Sequence, residues 1–245
     1  MNKYFIANWK MNNSIPSTIE FCNSIADFLS SYSNNNLEII ICPSFMSVPY
    51  AYQILKTFAK IGSQNITHLD PNDGAFTGEI SAKLIKDYSD FVILGHSERR
   101  VLLNESNSEI SKKVEFASKN NISKIVCIGE NKEQRKSGNF LKFLAKQALE
   151  SIGQNNIDLD KSQTIIAYEP LWAIGSGTPC SLENIQEVTE YIKENVPNIN
   201  GVVYGGSVSE NNISELLKSS SLDGVLVGSA SLKIESFKNM LNSIS

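Results

Sequence analysis

Asp90-Phe91-Val92-Ile93-Leu94-Gly95-His96 sets four large apolar residues in unbroken succession before a glycine and one of the chain's two histidines. A strand with one wet face alternates apolar and polar residues. A short unbroken apolar run instead fits a strand buried on both faces, as in parallel sheets covered by helices. Working outward, Val225-Leu226-Val227 repeats this pattern. Further β-rich runs lie at Tyr4–Lys10, Leu37–Cys42, Lys60–Asn65, Ser123–Gly129, Thr164–Glu169 and Gly201–Gly205, making eight with Asp90–Gly95 and Gly224–Gly228.

Helical spacing fills the gaps. Ile19, Cys22, Ile25, Ala26 and Leu29 share one helical face behind Ser17-Thr18-Ile19-Glu20, which reads as a capping box. Ser106-Asn107-Ser108-Glu109 repeats that signal. Helical patterns also cover Lys132–Ile152, Leu182–Asn195, Glu210–Lys218 and a stretch from Leu232. Strand–helix alternation eight times over predicts an α/β fold with a parallel core. The count favours closure into a single (β/α)8 barrel domain over 1–245, since such barrels use about 250 residues and no linker-like stretch divides the chain. An open doubly wound sheet is the alternative. Its glycine-rich fingerprint is missing after the first strand, which runs into Lys10-Met11-Asn12-Asn13.

Composition narrows the function classes. Apolar residues make up 41% and charged residues 20%, with a net charge of −4 and no basic block. Nucleic acid and anionic membrane are thus not expected as main partners. No run approaches the roughly 20 apolar residues that span a bilayer, and the N-terminal stretch is too short and interrupted for a secretory signal. The expected location is cytoplasmic. Four scattered cysteines form no disulfide framework or zinc-site spacing.

In barrels of this class chemistry gathers at the C-terminal ends of the strands. Asn8 and Lys10 end the first strand, where the lysine either supplies a fixed charge for phosphate or an oxyanion or is an ordinary surface residue. His96 precedes a helix start, Ser97-Glu98-Arg99-Arg100, and the partial positive charge there favours a neutral imidazole. A structural histidine is the other reading. His68 is read as surface. Glu169 directly ends a buried strand, a placement suited to a general base. After it, residues 170–179 place apolar side chains between prolines and glycines, which reads as a lid or as a packed connector. Gly205–Ser207 and Gly228-Ser229 close the last two strands, where backbone amides bind phosphate in this architecture. The long connection Asn65–Ser81 reads as an ordered protrusion and a subunit contact.

The segments Asn8–Asn12 (NWKMN), Gly74–Ser81 (GAFTGEIS), Ile93–Arg100 (ILGHSERR), Cys127–Glu130 (CIGE), Ala167–Gly177 (AYEPLWAIGSG), Tyr204–Val208 (YGGSV) and Val225–Leu232 (VLVGSASL) resemble the triosephosphate isomerase family along essentially the whole chain. The resemblance implies a TIM barrel that interconverts dihydroxyacetone phosphate and D-glyceraldehyde 3-phosphate through an enediolate, in glycolysis and gluconeogenesis, without metal or organic cofactor. It implies Glu169 as base, His96 as neutral electrophile, and Lys10 with Asn8 stabilising charge on the substrate oxygens. Glu98 would support Lys10. Amides of Gly175, Ser207, Gly228 and Ser229 would hold the phosphate of the small phosphorylated triose. A homodimer is implied too, with Thr77 reaching the neighbour's site. One departure is Ser229, where the family usually has glycine; a requirement for positive φ would strain a serine.

Rival readings are a metal-dependent sugar-phosphate epimerase, a Schiff-base aldolase and a non-catalytic barrel. Two histidines cannot build a His-rich metal cluster, and a Schiff-base aldolase needs a lysine deep in a strand, where this chain has none outside Lys10 and Lys124. The joint presence of Lys10, His96 and Glu169 argues against a protein that merely retains the barrel.

Overall fold

The computed structural model describes residues 3–69, 74–153, 163–173 and 180–244. Its strands are β1 (Lys3–Asn8), β2 (Leu37–Cys42), β3 (Lys60–Ser63), β4 (Phe91–Leu94), β5 (Ser123–Ile128), β6 (Thr164–Tyr168), β7 (Gly201–Tyr204) and β8 (Gly224–Val227). All pair in parallel and in chain order, and β8 returns to β1 to close the barrel. The closed (β/α)8 expectation holds, and the open sheet falls. No helix among the described residues is long and apolar enough to cross a membrane.

Strand side chains alternate between two cores. Tyr4 and Ile6, Phe91 and Ile93, Ile125 and Cys127, and Ile165 and Ala167 fill the barrel interior. Their neighbours Phe5, Ala7, Val92, Leu94, Val126 and Ile166 pack outward against helices. Burial on both faces is the cause of the unbroken apolar runs. Each fully buried side chain of this size contributes about 1.5–3 kcal/mol of transfer free energy. The same period of two turns Asn8, at the end of β1, and Glu169, Gly205 and Gly228, just past their strands, toward the barrel mouth.

The surrounding helices are α1 (Ile15–Ser31), α2 (Val48–Leu55), α3 (Ala82–Ile85), α4 (Ser97–Leu102), α5 (Asn107–Lys119), α6 (Lys132–Lys136), α7 (Phe140–Ile152), α8 (Leu182–Asn195), α9 (Ile213–Lys218) and α10 (Ile234–Asn242). Around α5, Ser106 and Glu109 form the expected capping box. The cap of α1 differs from the sequence reading. Ser14 accepts the Ser17 N–H at 3.3 Å, and the helix begins before the Ser17–Glu20 box. Pro16 in the first turn explains this, because its fixed φ already suits a helix and its missing N–H costs nothing there. The Lys132–Ile152 pattern also divides, into α6 and α7, around Gly138 at φ 75°. All four cysteines are buried and free.

Candidate active site

Asn8 turns the chain out of β1. Its side-chain oxygen accepts the Lys10 N–H at 3.0 Å, and Gln64 donates to the Lys10 carbonyl at 2.8 Å. Between these restraints Lys10 sits at φ 54°, a left-handed conformation uncommon for a non-glycine residue. Holding a lysine backbone there is the kind of local strain that accompanies a placed functional group. Its Nζ lies 2.6 Å from Glu98 Oε1.

His96 caps α4 with its ring. Nδ1 accepts the Glu98 N–H at 3.2 Å, so the single proton of a neutral imidazole resides on Nε2. Nε2 lies 3.1 Å from Glu169 Oε1, and Glu169 Oε2 accepts the Ser97 N–H at 3.0 Å. Both side chains are buried, Glu169 at 2% exposure. Burial alone would raise the Glu169 carboxyl, but His96 and the Ser97 hydrogen bonds outweigh it and hold it below the ordinary value. Burial works to lower the imidazole; Glu169, with help from Glu98, leaves it above its ordinary value. The expectation of a neutral His96 thus meets a counter-influence in this arrangement. The carboxylate favours the protonated ring, but the second proton would have to sit on Nδ1, where the Glu98 N–H cap opposes it.

Two close approaches seat Glu169. A Cβ on Gly129 would fall 1.9 Å from the Glu169 carbonyl oxygen, and one on Gly205 would fall 2.9 Å from Glu169 Cγ. With Asn8, Lys10 and His96, the carboxylate lines a cavity of about 390 Å3 that Gly205, Gly206, Ser207, Gly228 and Ser229 also line. Ser229 opens a 3-10 helix over Ser229–Leu232, where φ is negative, so serine carries no backbone strain. Gly175 lies outside the described residues, as do 174–179 of the expected lid. The described start of that segment is anchored. Trp172 Nε1 and Tyr168 Oη each donate to buried Glu130 at 3.0 Å, and Ser207 Oγ donates to the Ala173 carbonyl at 2.9 Å. Where the described chain resumes, the Cys180 N–H donates to Tyr204 Oη at 3.0 Å.

Other expected residues lie off this cavity. Thr77 is exposed on the protruding connection, whose base is tied by Thr67 N–H donating to the Ile80 carbonyl at 2.8 Å. His68 is not a plain surface residue: its Nε2 lies 3.3 Å from Glu109 Oε1 of α5. Among the described residues no group of three or more His, Cys, Asp or Glu gathers in a form that could hold a metal ion. The sequence reading missed the Ser97 amide as a partner of the carboxylate. It also gave no role to Glu130, although the CIGE segment that carries it was a visible signal.

The family model described as triosephosphate isomerase matches residues 3–244. The chain belongs to the triosephosphate isomerase family. Among curated relatives, the triosephosphate isomerase of Alkaliphilus oremlandii is 39% identical over 256 residues, covering 99% of this chain and 100% of its own. That of Aquifex aeolicus is 38% identical with the same coverage of both chains. That of Francisella tularensis subsp. holarctica is 38% identical over 251 residues, with 97% of its length covered. In the family's motifs, NWKMN supplies Asn8 and Lys10, GHSERR supplies His96 and Glu98, and AYEP supplies Glu169. Of these, Asn8, Lys10, His96 and Glu169 line one cavity, and Glu98 joins them through its ion pair with Lys10.

Proposed function

We propose that this chain carries out its family's reaction, the interconversion of dihydroxyacetone phosphate and D-glyceraldehyde 3-phosphate, with Glu169 as the base. The observation that carries the reading is the contact of buried Glu169 with His96 beside Lys10, in a cavity lined also by glycine-rich backbone. Glu169 takes a proton from one substrate carbon and returns it to the other. Its two oxygens are engaged by His96 and Ser97, so substrate must draw the carboxylate away from them. That departure removes the anion from His96 Nε2. The imidazole, its Nδ1 still capped by Glu98 N–H, is then neutral and donates Nε2–H to the substrate carbonyl.

Lys10 with Asn8 stabilises negative charge on the enediolate oxygens, and Glu98 keeps the ammonium in place. Phosphate is held by the amides of Gly175, Ser207, Gly228 and Ser229. Residues 170–179 close over it, excluding water and strengthening the fixed charges. No metal or organic cofactor takes part. One barrel domain over 1–245 carries all of this, in the cytoplasm, with nucleic acid and membrane outside its business.

The working unit is a homodimer, with Thr77 of one copy approaching Lys10 and His96 of the other. What supports this is a second cavity of about 290 Å3 beside those residues, bordered by Met11, Leu102 and Leu103, which are 96%, 73% and 62% exposed. Large apolar side chains grouped at a cavity edge mark a surface that a partner covers. A fully active monomer by mass measurement at micromolar concentration would contradict the dimer.

The test of the reaction is conversion of D-glyceraldehyde 3-phosphate by the purified protein in the presence of a chelator. Rapid conversion indifferent to the chelator is expected. No conversion by a folded dimer would overturn the reading in favour of a non-catalytic barrel.

A further inference from the structure

Gly129 follows β5 and lies against the backbone of Glu169, so closely that any side chain would overlap the Glu169 carbonyl. Just before it, the Ile128 carbonyl accepts the Glu169 N–H at 2.7 Å. Just after it, the Glu130 carbonyl accepts the Leu171 N–H at 3.1 Å, and the Glu130 carboxylate holds Tyr168 and Trp172. Residues 128–130 therefore fix both the backbone of the base and the start of the lid.

The Gly129 N–H points away from that seam, and the sheet no longer serves it. The register between β4 and β5 ends at Leu94 with Val126. The N–H is taken instead by a side chain from α7, Gln147 Oε1, at 2.9 Å. Beside this bond lies a cavity of about 180 Å3, bordered by Ser97, Arg100, Gly129, Gln147 and Glu169. A peptide packed on all sides stays put, whereas one facing open space can shift. Arg100, on the same wall, is over-determined, with donors to the Gly95 and Cys127 carbonyls, Asn107 and Ser151. Among the described residues the Gly129 N–H has one partner, Gln147.

We infer that Gln147 is a positioning residue for the isomerisation: its amide oxygen anchors the Gly129 peptide and thereby sets the Glu169 carboxylate and the Glu130 acceptor of the lid. Gln147 does not border the large cavity, so it acts through the backbone. The inference rests on Glu169 being the base.

Steady-state kinetics of Gln147→Met, Gln147→Leu and Gln147→Glu test it, with Glu169→Gln alongside and thermal midpoints for all four. Met and Leu remove the acceptor at similar volume; Glu keeps an acceptor for the same N–H. Displacing a reacting group by a fraction of an ångström to 1 Å is enough for about a 10-fold fall in kcat, with KM within about twofold. That outcome is expected for Met and Leu at near-wild-type midpoints, with most of kcat restored in Glu. Wild-type kcat in Met and Leu overturns the inference. So does an equal loss in all three variants, or failure of both acceptor-free variants to fold, because either marks a structural role. If Glu169→Gln stays active, the base assignment fails instead. If it is inactive while Gln147→Met is normal, only the positioning role fails.

Discussion

The half of the barrel mouth built by β4 and β6 holds two buried ionisable side chains in contact, whereas the half built by β7 and β8 presents glycines and two serines. In the first half, each group's protonation is set by the other, by burial and by the N–H groups of α4. In the second, backbone and serine side chains face the cavity; a Cβ on Gly228 would meet only Lys10 Cε, at an ordinary 3.6 Å, whereas Gly205 and Gly206 are held close against Glu169 and Tyr204. The difference separates two ways of using a strand end. Proton transfer needs side chains with tuned affinity for protons, so it is sensitive to any neutral replacement. Anion binding by amides belongs to the main chain, so it tolerates side-chain change that leaves φ and ψ intact.

The comparison can be broken at Lys10, which lies between the halves and is the only lysine or arginine bordering the large cavity among the described residues. Lys10→Met should lower kcat/KM on the order of 10³-fold, through loss of oxyanion and phosphate charge together. His96→Gln should lower kcat roughly 10²-fold with KM little changed, since it removes an electrophile and no phosphate contact. Both are read from initial rates; a loss confined to KM in His96→Gln would put His96 in the binding half. Gly205→Ala probes the seam between halves. Its methyl group would press on Glu169 Cγ at 2.9 Å and Leu226 at 3.3 Å, and about a 10-fold fall in kcat is expected from the displaced carboxylate.

Smaller effects sharpen the same contrast. The Glu169 carboxyl sits below its ordinary value of 4.5, so its stabilising contribution is present above that pH and is lost as pH falls through the lowered folded value. His96 sits above its ordinary 6.5, so its contribution is present below that pH and is lost as pH rises through the raised folded value. The difference in thermal midpoint between wild type and Glu169→Gln should favour wild type most between 4.5 and 6.5 and shift against it on either side. A difference independent of pH would mean that the pair is not coupled as described. Least of all, Ser229→Gly should leave KM within about twofold, because the serine adopts an unstrained helical turn and the amide is retained.

Much of this could be read before folding. Ile165 and Ala167 point into the barrel, so a period of two delivers Glu169 to its mouth, and the same count delivers Asn8 from β1. The unbroken Phe91–Leu94 run announced burial on both faces, and the Ser106–Glu109 box announced α5. What stayed hidden depends on geometry that composition does not encode. Ser14 wins the cap of α1 over Ser17 because Pro16 lies inside the first turn. The break between α6 and α7 turns on one left-handed glycine within an amphipathic pattern. Gln147 is anonymous in sequence, since its partner is a backbone N–H 18 residues away that only folding brings near. Whether Ser229 is strained could not be decided from its identity, because φ is set by the turn around it.

The most direct test of the division of labour is loss of the carbon-bound proton from dihydroxyacetone phosphate in deuterium oxide, followed by proton NMR with wild type and Glu169→Gln. Wild type should exchange the proton for deuterium rapidly, and Glu169→Gln should slow that exchange on the order of 10³-fold while still binding the phosphate. Exchange by Glu169→Gln at the wild-type rate would contradict the account, because the proton would then be taken by some other group.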